Sequence, residues 1–346
     1  SEQDFLSEIR FSRGLGLGRA IALSVGVMLI LSIFVLTGEA VAAAGPVVPL
    51  AYLLAALLLL ANLLGYAELA VSVPRSGGAY TLIHEAQDGL LAFLAGWALI
   101  LSGLGVCALL AQGFAVQVTT LLSDHLGLAL PVWPWAAALV ILLAVNNALG
   151  TQESQRGLVT TLLIVVSLGF TLLAAPQINL AHYVAVRPNW GQALTLLMVS
   201  FVGLEITASL LGEMRRRPTA APRALLLAPM LAAGLGAGII AIAVGVAGSE
   251  ALADSRIPLV ALLEASVARG AGRPFILVLG ALALALALNS ALMLVVRQVY
   301  GMSKDGYWPA VLRRIQPRYG TPALLIALVA LLVLPLALLS VGLLGR

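Results

Sequence analysis

The run Ser24-Val25-Gly26-Val27-Met28-Leu29-Ile30-Leu31-Ser32-Ile33-Phe34-Val35-Leu36-Thr37-Gly38 decides how the rest of the chain is read. It lies inside an apolar stretch from Gly18 to Ala44 that carries one acid, Glu39, near its far end. A hydrocarbon core of about 30 Å is crossed by about 20 apolar residues as helix, so the stretch predicts a first membrane-spanning helix. Its middle is Ile30-Leu31-Ser32, two bulky branched residues followed by a small one.

The composition extends that reading to the whole chain. With 346 residues, 61% of them hydrophobic and only 10% charged, and a mean hydropathy of +1.07, it falls far from soluble domains, in which about 25% of residues are charged. A multi-span membrane protein is expected, in contact with the lipid bilayer and with no nucleic-acid partner. Ser1 to Arg19 contains no apolar core of a cleavable signal, so the first span is expected to stay in the protein. The single cysteine, Cys107, lies in an apolar run and reads as a small core residue.

Nine runs are long and apolar enough to span, at roughly 20–44, 47–72, 89–121, 131–149, 156–175, 192–212, 223–247, 274–303 and 322–344. A cytoplasmic N-terminus assigns thirteen cations, among them Arg10, Arg13, Arg19, Arg215, Arg216, Arg217, Arg313 and Arg314, to cytoplasmic segments and five to the other side. That asymmetry sets the expected orientation by the positive-inside rule. Trp133, Trp135 and Trp190 fall at outer ends of spans, where amphipathic rings prefer the headgroup layer. Residues 249–272 alternate charged positions with Ile257, Leu259, Leu262 and Leu263 and predict a short amphipathic helix on the outer mouth.

Three segments then carry a resemblance. After the second run come Tyr66-Ala67-Glu68-Leu69 and Pro74-Arg75-Ser76-Gly77-Gly78-Ala79-Tyr80; in the sixth, Ser200-Phe201-Val202-Gly203-Leu204-Glu205; after the eighth, Tyr300-Gly301-Met302-Ser303-Lys304-Asp305-Gly306. In this order and spacing they resemble the amino acid, polyamine and organocation transporter superfamily. The resemblance implies an all-helical membrane bundle of 5+5 inverted repeats with helices 1 and 6 broken. The expected division is a cytoplasmic segment 1–19, a first repeat 20–175 and an incomplete second repeat 192–344. Nine spans are present and the tenth is absent, as expected of a trimmed chain or of one half of a split assembly.

The resemblance implies a substrate, an amino acid or related amine, bound where the two breaks meet. Half-helix ends offer free N–H groups to a carboxylate and free carbonyls to an amine. On this chain those positions are Ile30, Leu31 and Ser32 in helix 1, Phe201, Val202 and Gly203 in helix 6, and Asn289 in helix 8. Ile30 and Leu31 depart from the small residues of the family, leaving two readings: unwinding around Ser32 with a narrowed site, or a straight helix with impaired carboxylate binding. Phe201 is either an aromatic gate or core packing; Asn289 is either a ligand contact or an interhelical hydrogen bond.

Three acids are candidates for gating or proton linkage. Glu205 is an acid inside a span, where ionisable groups are costly and usually functional. Glu39 either guards the outer mouth or is simply solvated. Glu68 either acts or forms a structural pair with Arg75. Hydroxyls that hold sodium in some relatives are replaced by Leu284-Ala285-Leu286-Ala287, and a lysine used by others is Val165 here. Uncoupled exchange, facilitated uptake and proton coupling through Glu205 therefore all stay open. His84, His125 and His182 lie in separate loops and build no metal or catalytic site, so neither an enzyme nor a cofactor is expected. The expected activity is alternating-access transport in the plasma (inner) membrane. The alternatives are a transport-inactive scaffold or sensor subunit and an inorganic-ion carrier of the same fold.

Overall fold

The computed structural model describes residues 16–72, 78–86, 89–127, 130–150, 156–183, 189–210, 214, 217–255, 257–266 and 272–344. A helix stands at each of the nine expected runs. Helix α1 (Leu17–Leu31) passes through a π-helical segment (Ser32–Leu36) into α2 (Thr37–Ala44). The chain turns at Gly45, whose φ of 69° only glycine adopts freely, into α3 (Val48–Ser72). Next come α4 (Gly78–Ala86), α5 (Gly89–Leu126), α6 (Trp133–Ala148) and α7 (Arg156–Ala174). The sixth run is split into α8 (Trp190–Ser200) and α9 (Gly203–Leu210). It is followed by α10 (Arg217–Ala247), short α11 (Ser249–Asp254) and α12 (Pro258–Ala265), α13 (Gly272–Lys304) and α14 (Ala323–Leu344).

Among the described residues five helical stretches are long and apolar enough to cross a membrane. The 38 residues of α5 rise about 57 Å at 1.5 Å each, well beyond the hydrocarbon thickness. Large apolar side chains face outward along these helices, including Leu57, Leu58 and Leu64 on α3, Leu101 on α5, Leu142 on α6 and Leu331 on α14. Such continuous apolar exterior is untenable in water and suits lipid. The chain is an integral multi-pass membrane protein.

Lipid supplies no hydrophobic force to press helices together, so close packing through small residues does. Helix α5 lies along α13, and each carries a glycine where the other's side chain sits. A Cβ at Gly103 would come within 2.6 Å of Val295 Cγ2, and one at Gly280 would collide with the Gln117 amide. Helix α10 lies along α3 in the same way, with Gly236 directly under the Tyr52 ring.

Two expectations are corrected. Residues 249–272 do not form one helix on the outer surface: they contain α11 and α12, and Ile257, Leu259, Leu262 and Leu263 are buried in the protein. The four apolar side chains find a protein core there, which holds them better than the interface would. Helix 1, moreover, is not broken. It stays α-helical through Ile30 and Leu31 and only widens from Ser32. Branched side chains favour continued helix far more than glycine does, and the wider π turn absorbs the irregularity that glycines would have expressed as unwinding.

Candidate functional site

The interruption of the sixth run is two residues long. The backbone N–H groups of Phe201 and Val202 bond back to Met198 and Val199, and those of Leu204 and Glu205 start again from Phe201 and Val202. Gly203 stands where α9 packs directly on α1: a Cβ there would lie 2.5 Å from Met28 Cγ and 2.7 Å from the Ser24 carbonyl oxygen. Its φ is not among the positive values, so the demand for glycine at this point is spatial. One turn further along, the Thr207 and Ser24 hydroxyls are 2.6 Å apart, both fully buried. Helices 1 and 6 are thus bolted together just inside the interruption.

Opposite, the π segment frees a carbonyl and then consumes it. The Ser32 carbonyl accepts the Thr37 backbone N–H, the i→i−5 bond of the wider turn, and the Thr37 hydroxyl at 2.8 Å. Both lone pairs are used. Ile30, Leu31 and Ser32 are all buried, at 3%, 0% and 0% exposure. Ile30 lines a cavity of about 10 Å³ with Leu29, Ile33, Phe34, Ser167, Ile239 and Ala283, about enough for one water. That space lies toward α7, α10 and α13, and it leaves Leu31 and Ser32 out of its lining.

A tyrosine that sequence reasoning passed over joins the two irregular segments. Tyr52 of α3 is fully buried, stacks on Phe201 at 5.1 Å between centroids, and has its hydroxyl 3.3 Å from Ser200 Oγ. The signal available was weak: one aromatic with a polar tip in an otherwise Leu- and Ala-rich span. Thr207 was missed for a similar reason, since a hydroxyl in a helix shows no partner until the fold supplies one.

Phe201, Val202 and Glu205 come together on the wall of a lateral groove of about 670 Å³, with Asn62, Tyr66, Ser102 and Thr195. Glu205 Oε2 is buried and has no hydrogen-bond partner among the described residues. The other two acids lie elsewhere. Glu39 is exposed at a cavity beside α2 and α5. Glu68 is exposed on α3, where its backbone carbonyl accepts the Ser72 hydroxyl at 3.3 Å; Arg75, its expected partner, lies outside the described residues.

Asn289 is 2% exposed, and its Oδ1 accepts from Asn147 Nδ2 at 2.8 Å, joining α13 to α6. Arg297 of α13 donates to Ser209 Oγ at 3.2 Å and so reaches α9. The next residue of α13 is Gln298, whose Oε1 accepts the Tyr80 N–H of α4 at 3.1 Å. The candidate residues therefore divide into a paired core of helices 1 and 6, a groove holding Glu205, and an interhelical bond at Asn289.

This architecture defines an all-helical membrane bundle. The solved transporter Mhp1, of the nucleobase-cation-symport-1 family and closed around bromovinylhydantoin, matches with a TM-score of 0.64 over 94% of this chain and 72% of that one. At 12% identity the likeness is one of fold. The amino acid permease family model matches residues 15–344, and the chain belongs to that family.

It is similar to a branched-chain amino acid permease of Bacillus subtilis, 28% identical over 340 residues, covering 91% of this chain and 72% of the relative. An uncharacterised transporter of Mycobacterium tuberculosis is 30% identical over 336 residues, with 92% and 72% covered. The mouse cationic amino acid transporter 4 is 30% identical over 346 residues, with 92% of this chain and 54% of the relative covered.

Proposed function

We propose that this permease moves a small apolar amino acid, or a related amine, across the plasma membrane by alternating access. The carrying observation is the two-residue interruption at Phe201 and Val202, with Gly203 seated on α1. It supplies irregular backbone within a spanning run, the kind of position at which broken-helix transporters place their ligands. Family membership supports the substrate class. The residues of the two irregular segments, Ile30, Leu31, Ser32, Phe201, Val202 and Gly203, include no charged side chain, which favours an aliphatic side chain over a cationic one.

In this reading residues 20–175 and 192–344 are two inverted repeats of a 5+5 bundle, residues 1–19 precede them on the cytoplasmic side, and substrate meets the protein between Ser32, Phe201, Val202 and Gly203. Ile30 and Leu31 narrow the space, and Asn289 holds α13 in register behind it. Glu205 is the buried acid available for proton linkage, with Glu39 and Glu68 acting nearer the two surfaces.

One observation favours a second reading, a transporter-like scaffold: the Ser32 carbonyl is already doubly bonded. Uptake of radiolabelled alanine, leucine, arginine and putrescine into proteoliposomes decides between them. Saturable uptake of the aliphatic amino acids is expected. Flat uptake for all four, unchanged on replacing Ile30→Gly with Leu31→Ser, would establish the scaffold instead.

A further inference from the structure

The connection from α13 to α14, residues 306–322, carries three arginines and no acid. Arg313, Arg314 and Arg318 are all exposed, and none of them forms an ion pair among the described residues. Arg318 lies against the Tyr319 ring, 5.3 Å from its centroid. Arg313 and Arg314 come at the end of a short helical turn, Ala310–Arg313, on which Val311 is also exposed.

This basic segment is fastened to the end of a neighbouring helix. The Gln316 N–H donates to the Thr321 carbonyl at 2.9 Å, and the Tyr319 and Gly320 N–H groups return to the Gln316 carbonyl at 3.2 and 2.9 Å. Gly320 closes the turn at a φ of 66°. The Thr321 hydroxyl then donates to the carbonyl of Ala148, the last residue of α6, at 2.7 Å. The Tyr319 carbonyl stands over Gly150, where a Cβ would come within 2.7 Å of its oxygen. The turn is therefore held at a fixed height, level with the end of α6.

Two lipid-facing rows run up to that height. Helix α6 exposes Leu142, Val145 and Leu149, and α14, which packs against it, exposes Leu324, Leu328 and Leu331. The members of each set are three and four residues apart and so form one stripe along their helix. Leu149 immediately precedes Gly150, and Leu324 follows closely on Thr321. An acyl chain lying on these rows places its headgroup phosphate at the level of the arginines. Guanidinium groups pair with phosphate through parallel hydrogen bonds, and each cation near an anionic membrane surface strengthens attraction about fivefold.

We propose that the seam between α6 and α14 binds an anionic phospholipid, with acyl chains along the rows headed by Leu149 and Leu324 and the phosphate held by Arg313, Arg314 and Arg318. The apolar rows select a lipid over a free phosphate. The lack of any acid in residues 306–322 selects an anionic headgroup over a zwitterionic one. The site shares no residue with the central one and stands whether or not the chain transports.

Thermal unfolding of the full chain in dodecyl maltoside, titrated with dioleoylphosphatidylglycerol, is the test, with dioleoylphosphatidylcholine and glycerol phosphate as comparison ligands. Saturable stabilisation by phosphatidylglycerol alone is expected. Its apparent affinity should fall about fivefold in Arg313→Gln, Arg314→Gln and Arg318→Gln taken singly, and about a hundredfold in the triple variant. All three side chains are exposed, so their replacement spares the core. Arg223→Gln removes an exposed cation from α10 instead and should leave the affinity unchanged. Equal stabilisation by phosphatidylcholine, equal stabilisation by glycerol phosphate, or an equal loss in Arg223→Gln would each overturn the proposal, as a general lipid effect, a soluble-anion site or unlocalised charge attraction. Binding is read without transport, so the outcome is independent of the uptake experiment.

Discussion

Replacing Gly203 by alanine adds one carbon at a tight contact between helices 1 and 6. That carbon would lie 2.5 Å from Met28 Cγ and 2.7 Å from the Ser24 carbonyl oxygen, where real Cβ atoms keep at least 3.0 Å. Met28 is fully buried and has nowhere to swing, and the Ser24 carbonyl is part of the α1 backbone. The helices must therefore part. Overpacking of this kind costs about 1–3 kcal/mol. Chains of 150–250 residues lose about 2–4 °C per kcal/mol, and a longer one lies at the lower end, which predicts a Tm lower by about 2–6 °C.

Thermal unfolding in detergent measures this directly, with Gly238→Ala as the control. At Gly238 the new methyl group meets nothing, and alanine gains about 0.5–1 kcal/mol over glycine in a helix, so that variant should melt at or slightly above the parent. Combining Gly203→Ala with Met28→Ala removes one of the two collisions. The pair should be less damaging than the sum of the singles by about 0.5–3 kcal/mol, as expected of residues in contact. A Gly203→Ala protein that melts at or above the parent temperature and transports normally would refute the close seating of α9 on α1.

Other perturbations test the surrounding geometry. Gly236→Ala drives a methyl into the Tyr52 ring, and should lower the Tm by a similar amount; adding Tyr52→Leu should recover most of it. Asn289→Leu leaves the Asn147 amide without its acceptor and should cost about 0.6–2 kcal/mol, the range of interhelical hydrogen bonds in bilayers, whereas adding Asn147→Leu should restore part of it. Glu205→Gln keeps shape and removes the titrating proton: if proton linkage runs through this acid, uptake that varies with pH in the parent becomes flat in the variant, and an unchanged pH profile rules the role out. Thr207→Val is nearly isosteric and removes the bond to Ser24; the Tm should fall by the equivalent of about 0.5–1.5 kcal/mol.

Much of the fold was legible without coordinates because spanning a bilayer leaves a loud periodicity-free signal: long apolar runs separated by charge. The interruption at Phe201 to Gly203 was expected too, because the resemblance of Ser200 to Glu205 to the sixth helix of the transporter superfamily implied a break there. The fate of helix 1 was not. Ile30 and Leu31 argued against unwinding, but whether the strain would vanish or reappear as a π turn from Ser32 depended on Thr37 being placed to cap the Ser32 carbonyl.

By itself, then, the sequence determined the long apolar runs and their order, because these follow from local hydropathy, while the interruption in the sixth run was expected from the family resemblance. Tertiary structure alone decided which polar groups are spent and which remain available. Ser32 and Ser255 have the chemistry of ligand groups in sequence, yet the Ser32 carbonyl and the Ser255 hydroxyl are satisfied within their own turns. Gln112 attracts no notice in sequence, yet its amide oxygen is buried without a partner among the described residues. Hydrogen-bond satisfaction is a property of distances across the fold, and residue order alone does not carry it.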